Sequence, residues 1–345
     1  MMPLPTPSAG VAYERERALR LQDPRCRANY ELYLQAPRAS SPQYRPIKLD
    51  IENVSRCNLR CTMCQVSDWP KSKRADDMTL AQFKDLLDAE YGLLEVKLQG
   101  VGEPLLGKDF FKMIRYARAR HIWVRTTTNA TLLHLHNNYQ QLVDSGVNEI
   151  QVSIDGADAV TFESVRRGAR FDHVVHNCCL LNAYAAKQGV RVTKMWTVVQ
   201  RVNRHQLSDL VFFGAHMGFR DLVFSLDLVD WSLPAWTSAI DALRAPALND
   251  DEMQALVAEG GRWGVCVAFW QALGKYTRAQ PCAWPFERSF VGSDSRVSPC
   301  CMIGNPDVVE LGPWGGPAYR AFRQAHLDGV VPGACKGCYR EEAHG

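Results

Sequence analysis

Three cysteines at C-x3-C-x2-C spacing, Cys57, Cys61 and Cys64, stand in the run Cys57-Asn58-Leu59-Arg60-Cys61-Thr62-Met63-Cys64. A loop this short places three thiolates on three corners of one metal cluster. A 4Fe–4S cube takes four ligands, so one iron would stay open to a small molecule. A zinc site short of one ligand is the plainer alternative, although zinc knuckles usually draw cysteines as two C-x2-C pairs. Five more cysteines come late: Cys282, Cys300, Cys301, Cys335 and Cys338. The last two form a knuckle, Cys335-Lys336-Gly337-Cys338. Four ligands from two turns fit tetrahedral zinc or a fully ligated 4Fe–4S cluster equally well. Cys26, Cys178, Cys179 and Cys266 read as ordinary buried thiols.

The elements that position these cysteines alternate from residue 46 onward. Strand-like runs lie near 47–53, 94–99, 122–128, 149–154, 191–199 and 221–226. Helical patterns fall between them, near 109–119, 135–144, 158–166, 171–187 and 205–216. Thr79-Leu80-Ala81-Gln82 reads as a capping box that opens another helix. Strands each followed by a helix predict an α/β fold with a parallel sheet and helices outside it, closed or doubly wound. Ligands in such folds bind at the carboxyl ends of the strands, and the cysteine loop follows the first strand at that end. Residues 1–10 are expected to be disordered, 12–35 to form one or two helices broken near Pro24, and 36–45 to form a linker. The expected organisation is an N-terminal extension over 1–45, the main domain over 46–235, a helical connector over 236–280 and a small cysteine-rich domain over 281–345.

The chain has 345 residues, 46% apolar and 22% charged, as in an ordinary globular protein. A net charge of +3 gives no case for nucleic acid or an anionic membrane as partner. No run of 18 apolar residues predicts a transmembrane helix. The N-terminus lacks a basic region followed by an apolar one, so no signal peptide is expected. With twelve cysteines, this points to a reducing, cytoplasmic setting and to metal rather than disulfides.

The cysteine triplet resembles the signature of the radical S-adenosylmethionine (SAM) superfamily. The resemblance implies a partial (β/α)6 barrel and a cluster whose open iron is chelated by SAM. One electron then cleaves SAM to a 5′-deoxyadenosyl radical. Met63 stands where the family commonly has an aromatic residue beside the adenine. Gly100-Val101-Gly102-Glu103-Pro104 resembles the family's Gly-Gly-Glu motif, with Gly100, Gly102 and Glu103 around the SAM amino group; by itself it is an ordinary turn before a helix. Thr128-Asn129-Ala130 is similar to the family's Thr-Asn-Gly, with Asn129 matched. By the same likeness Ser153 would meet the ribose or carboxylate, and Arg166, with Arg167 as alternative, the carboxylate. A guanidinium suits a carboxylate by its bidentate geometry, although both arginines could be a solvated helix face. Val198 and Leu226 would line the adenine pocket, or belong to the core.

The late cysteines, with Arg296-Val297-Ser298-Pro299-Cys300-Cys301, Gly304-Asn305 and Trp314, resemble the SPASM/twitch group, which carries auxiliary clusters. The chain ends seven residues after Cys338, and this suits the shorter form with one auxiliary 4Fe–4S cluster on Cys282, Cys300, Cys335 and Cys338. Cys301 could replace Cys300. The likeness implies hydrogen abstraction from a small polar substrate, such as a sugar, aminocyclitol or nucleoside, followed by oxidation, decarboxylation or epimerisation. A flavodoxin or ferredoxin would donate electrons. In an epimerase Cys301, if free, would be the hydrogen-atom donor. The alternative is maturation of a ribosomally made peptide; such enzymes often carry a leader-binding module ahead of the barrel, and here about 45 residues precede the first strand. Lys194 shares a strand face with Trp196, Val198 and Gln200 and is a candidate base, or a solvated lysine at the far end of the barrel.

Overall fold

The computed structural model describes residues 10–69 and 75–340. The expected disorder over residues 1–10 falls outside the described residues, except for Gly10, which opens a helix. The N-terminal helices run over Gly10–Arg20 and Pro24–Gln35, separated where Asp23 caps the second, and Pro24 starts it without losing a needed N–H.

Nine strands form one sheet: β1 (Lys48–Ile51), β2 (Glu95–Leu98), β3 (Trp123–Thr128), β4 (Glu149–Ser153), β5 (Thr193–Val198), β6 (Asp221–Ser225), β7 (Cys266–Trp270), β8 (Arg288–Val291) and β9 (Val297–Ser298). Their order is β7-β6-β5-β4-β3-β2-β1-β8-β9, parallel throughout except for the β8/β9 hairpin. The six expected strands are all present, and the sheet is open, as in a partial barrel. Two stretches add strands that the sequence pattern did not predict. The expected helical connector contains the helices Pro234–Leu243 and Asp250–Trp263, then β7 beside β6. The cysteine-rich stretch contributes β8, which pairs with β1 and so extends the same sheet.

Each strand sorts its side chains by the period of two. Leu49, Ile51, Val96, Leu98, Val124, Ile150, Val152, Met195, Leu222 and Phe224 join one buried apolar cluster with the helices. The helices meet it through residues such as Phe83, Phe110, Ile114, Phe162, Leu181 and Leu210. The helix Leu80–Ala89 starts in the expected capping box between Thr79 and Gln82. The alternate residues, Asp50, Glu52, Glu95, Lys97, Arg125, Glu149, Gln151 and Lys194, are polar and line the other, inner face. No helix among the described residues is long and apolar enough to cross a membrane.

Candidate active site

The chain leaves β1 through Glu52-Asn53 into the cysteine loop. Two backbone bonds hold that loop against the end of the helix Ala159–Val165: Arg60 N to Arg167 O (2.9 Å) and Thr62 N to Val165 O (3.0 Å). Within it, Cys64 N donates to Cys61 O, and Ser67 Oγ donates to the same carbonyl at 2.7 Å. Burial pushes the Cys57 thiol up to about 11 and the Cys64 thiol up to about 12, and raises Cys61 as well. Three thiols this close, Cys61 buried and Cys57 and Cys64 half-buried, resist ionising in the bare chain, and a metal cluster would take their protons' place.

A cation stands against them. Arg166, 8% exposed, turns Nε and Nη2 onto Asp155 Oδ2 at 2.7 and 2.6 Å. Its Nη1 lies 4.0 Å from Cys61 Sγ. Asp155 is itself fully buried and accepts from the Val198 amide at 2.7 Å, which ties the arginine to the end of β5. Arg167 is exposed. Of the two arginines it is Arg166 that stands beside the cysteine loop, and its anchor, Asp155, is a residue to which the sequence pattern assigned no role. The signal for it was an Asp-Gly pair just past the end of β4.

The glycine loop meets the cysteine loop from the other side. Glu103 N donates to Arg56 O at 3.0 Å. A side chain at Gly102 would run into the carbonyls of Val54 and Arg56, and one at Gly100 into the Glu52 side chain. These glycines therefore serve the close approach of two loops. Glu103 is 2% exposed; its carboxylate accepts from Thr128 Oγ1 and Asn129 N, both at 2.8 Å, and burial raises it to about 7. It clamps the end of β3 as well as facing the site. Asn129 Nδ2 donates to Asn58 Oδ1 at 3.0 Å and lies 3.8 Å from Cys57 Sγ. Ala130, in the glycine place, adopts φ 62°. Ser153 ends β4, Val198 ends β5 and Leu226 follows β6, all at the same carboxyl edge as the cysteine loop. Met63 is buried, and its carbonyl accepts from Trp231 Nε1 at 3.2 Å.

Lys194 does not stand in this site. It is 3% exposed and pairs with Glu149 Oε2 at 3.2 Å, at the first residue of β4, so its ammonium points to the strand starts. There it belongs to a buried chain of charges in which Arg125 bridges Glu95 and Glu149. Neither a free base nor a solvated end group fits that position. The remaining thiols also divide: Cys26 and Cys178 are buried as expected, whereas Cys179 and Cys266 are exposed.

The late cysteines gather at the far side of β1. Cys282, Cys335 and Cys338 interact electrostatically with one another, and Cys335 with Cys300. Tyr339 hydroxyl accepts from Cys282 N at 3.0 Å and contacts His326 Nδ1 at 2.8 Å. The carbonyl of Cys338 takes the amides of Lys275 and Tyr276. Cys301 interacts with Cys300 and also with Asp50, Lys97 and Arg288 on the inner face. A strap joins the two cysteine sets. Trp231 reaches Met63, and Ser232 Oγ donates to Ala334 O at 2.8 Å. Among the described residues no three His, Cys, Asp or Glu side chains converge on a single metal ion.

Residues 53–213 match the model of the radical SAM superfamily. GTP 3′,8-cyclase of Erythrobacter litoralis is 31% identical over 170 residues, 47% of this chain and 49% of that protein. The chain spans about half the length of the curated relatives it matches. Among solved structures, Streptococcus suis SuiB bound to precursor peptide SuiA superposes with a TM-score of 0.61 at 16% identity, over 81% of this chain and 67% of SuiB. BtrN in complex with AdoMet and 2-DOIA superposes with a TM-score of 0.51 at 18% identity, over 86% of this chain and 93% of BtrN. At these identities the structural likenesses show the fold.

Proposed function

We propose, from the radical SAM domain that this chain carries, that it cleaves SAM reductively and abstracts hydrogen from a small polar substrate. The observation that supports this best is that Cys57, Cys61 and Cys64, the Asp155-anchored Arg166 and the Glu103–Asn129 loop all lie at one carboxyl edge of the sheet. The donor set suits a 4Fe–4S cluster: Cys57, Cys61 and Cys64 would hold three irons and leave the fourth for SAM. Bound together, cluster and SAM supply a one-electron cleavage that delivers a hydrogen-abstracting 5′-deoxyadenosyl radical. The chain's own residues orient and shield. Arg166 offers its Nη1 edge to a carboxylate while Asp155 fixes the rest of the guanidinium. Glu103 offers an acceptor to an ammonium. Met63, Val198 and Leu226 present apolar surface for the adenine, and Ser153 a hydroxyl for the ribose.

The second cluster of this reading sits on Cys282, Cys300, Cys335 and Cys338, with Cys301 left over on the inner face. A fully ligated cluster there could accept the electron of an oxidation, and oxidation, decarboxylation and epimerisation are the outcomes considered. A flavodoxin or ferredoxin would supply electrons. Peptide maturation is the second reading, favoured by the likeness to SuiB, whose structure holds a precursor peptide.

Anaerobic reconstitution tests the proposal. Two cubes predict about eight irons and eight sulfides per chain. Changing Cys57, Cys61 and Cys64 to Ala should remove half of the iron and all formation of 5′-deoxyadenosine. Stoichiometric zinc without iron after anaerobic purification would overturn it.

A further inference from the structure

We infer that Asp50, Lys97 and Gln99 form the recognition site for a small zwitterion, a molecule with an anionic group and an ammonium beside its hydroxyls. This rests on the reading that a small substrate sits below the cysteine loop, and it names the chemistry of that substrate.

Asp50 lies on β1 two residues before Glu52, roughly 7 Å deeper along the inner face at about 3.3 Å of rise per residue. It is 3% exposed, and its Oδ2 has no hydrogen-bond partner among the described residues. A buried carboxylate oxygen without a donor is costly to the fold, and a bound ligand removes that cost. Gln99, just past β2, spends its Nε2 on Gly100 O at 3.2 Å and leaves Oε1 buried without a partner. Lys97 stands beside Asp50 in the β1–β2 register, half-buried, yet its ammonium does not satisfy Oδ2. The Cys301 thiol lies against both and hydrogen-bonds to the Asp50 side chain.

The other charges of this face have neighbours of opposite sign, Lys48 among them, which stands against Glu95 and Glu287. Arg125 takes Glu95 and Glu149, Lys194 takes Glu149, and Arg288 takes Glu287. Glu52 accepts from the amides of Val101 and Ser293. What remains open is two acceptors and one cation in a water-poor setting. Asp50 Oδ2 calls for an ammonium, Gln99 Oε1 for a hydroxyl or ammonium proton, and Lys97 for a carboxylate or phosphate. A neutral sugar would leave Asp50 Oδ2 without a charged donor.

The test uses cluster-loaded, full-length protein with SAM under anaerobic conditions, and reads probe affinity by calorimetry. The probes come in triples. D-Glucosamine 6-phosphate is compared with glucose 6-phosphate, which lacks the ammonium, and glucosamine, which lacks the anion. L-Homoserine is compared with 4-hydroxybutyrate and 3-aminopropanol in the same way. The expected result is that one zwitterion at least binds about tenfold or more tighter than both of its partners, the loss of one charge-assisted contact. Lys97→Met should then erase the preference for the anion, Lys97→Arg restore it, and Asp50→Asn erase the preference for the ammonium. Iron content and melting temperature check that each variant is folded and loaded. Equal affinities within each triple, no binding by any probe, or preferences kept by folded variants would overturn the inference. Wild-type protein that fails to form 5′-deoxyadenosine would sink the proposed function instead, so the two failures are distinct.

Discussion

Glu103→Gln tests whether a buried, neutral carboxyl holds the glycine loop against β3. In the wild type Thr128 Oγ1, Asn129 N and, at 3.3 Å, Leu105 N converge on it. Burial outweighs those donors and lifts the group from 4.5 to about 7. Between these values the folded chain keeps a proton that the unfolded chain has lost. Its contribution to stability is therefore greatest at low pH and falls as pH rises through about 7. The whole span corresponds to on the order of 3 kcal/mol, and about 2 kcal/mol of it is lost between about pH 5.5 and 8.5. Gln does not titrate, but it turns an N–H2 toward one of the donors, a fixed cost of about 1–3 kcal/mol. The variant should thus be less stable at pH 5.5, and its deficit should shrink by about 2 kcal/mol by pH 8.5. Glu52, also raised to about 7, titrates in both proteins and cancels in the difference. Anaerobic unfolding of cluster-loaded protein without SAM, followed by circular dichroism, reads the quantity. A deficit constant across the range refutes the argument. SAM affinity should fall in the same variant, since an ammonium beside this loop gains most from an ionised carboxylate.

Other expectations follow from single contacts. Gly102→Ala should cost more than the ~1–3 kcal/mol of ordinary overpacking, because its methyl meets backbone carbonyls of Val54 and Arg56 that cannot swing aside; iron incorporation read by absorbance should drop with it. Arg166→Met strands the fully buried Asp155 and should destabilise by about 3–5 kcal/mol. Arg166→Lys should retain much of that stability yet bind SAM more weakly, by calorimetry, for want of the fork. With Cys335 and Cys338 changed to Ala, a folded protein should still form 5′-deoxyadenosine from a chemical reductant but lose product; normal turnover would turn the reading toward a redox-neutral reaction.

The six expected strands and the capping box at Thr79 were legible because period and punctuation are local properties of a chain. β7 and β8 were not. Each is four or five residues long, and each is held by a parallel partner distant in sequence, Asp221–Ser225 for β7 and Lys48–Ile51 for β8. The cysteines and the Gly100–Glu103 loop showed in the sequence because unusual residue types stand close together. Trp231, which reaches Met63 from 168 residues away, had no such mark, and the Asp155 that anchors Arg166 was marked only by its Asp-Gly pair.

Lys194 and Asp50 show what alternation can and cannot reveal. Both lie on the inner face, as the period of two requires, and both are buried charges. Their meanings part only through their partners. Lys194 finds Glu149 and becomes a strut at the strand starts, whereas one oxygen of Asp50 finds none. A strand pattern gives the face of a residue but neither its height nor the charge that meets it, since those depend on the neighbouring strand's register. The open carboxylate, rather than the lysine that the sequence pattern singled out, is therefore where a substrate's charge has something left to bind.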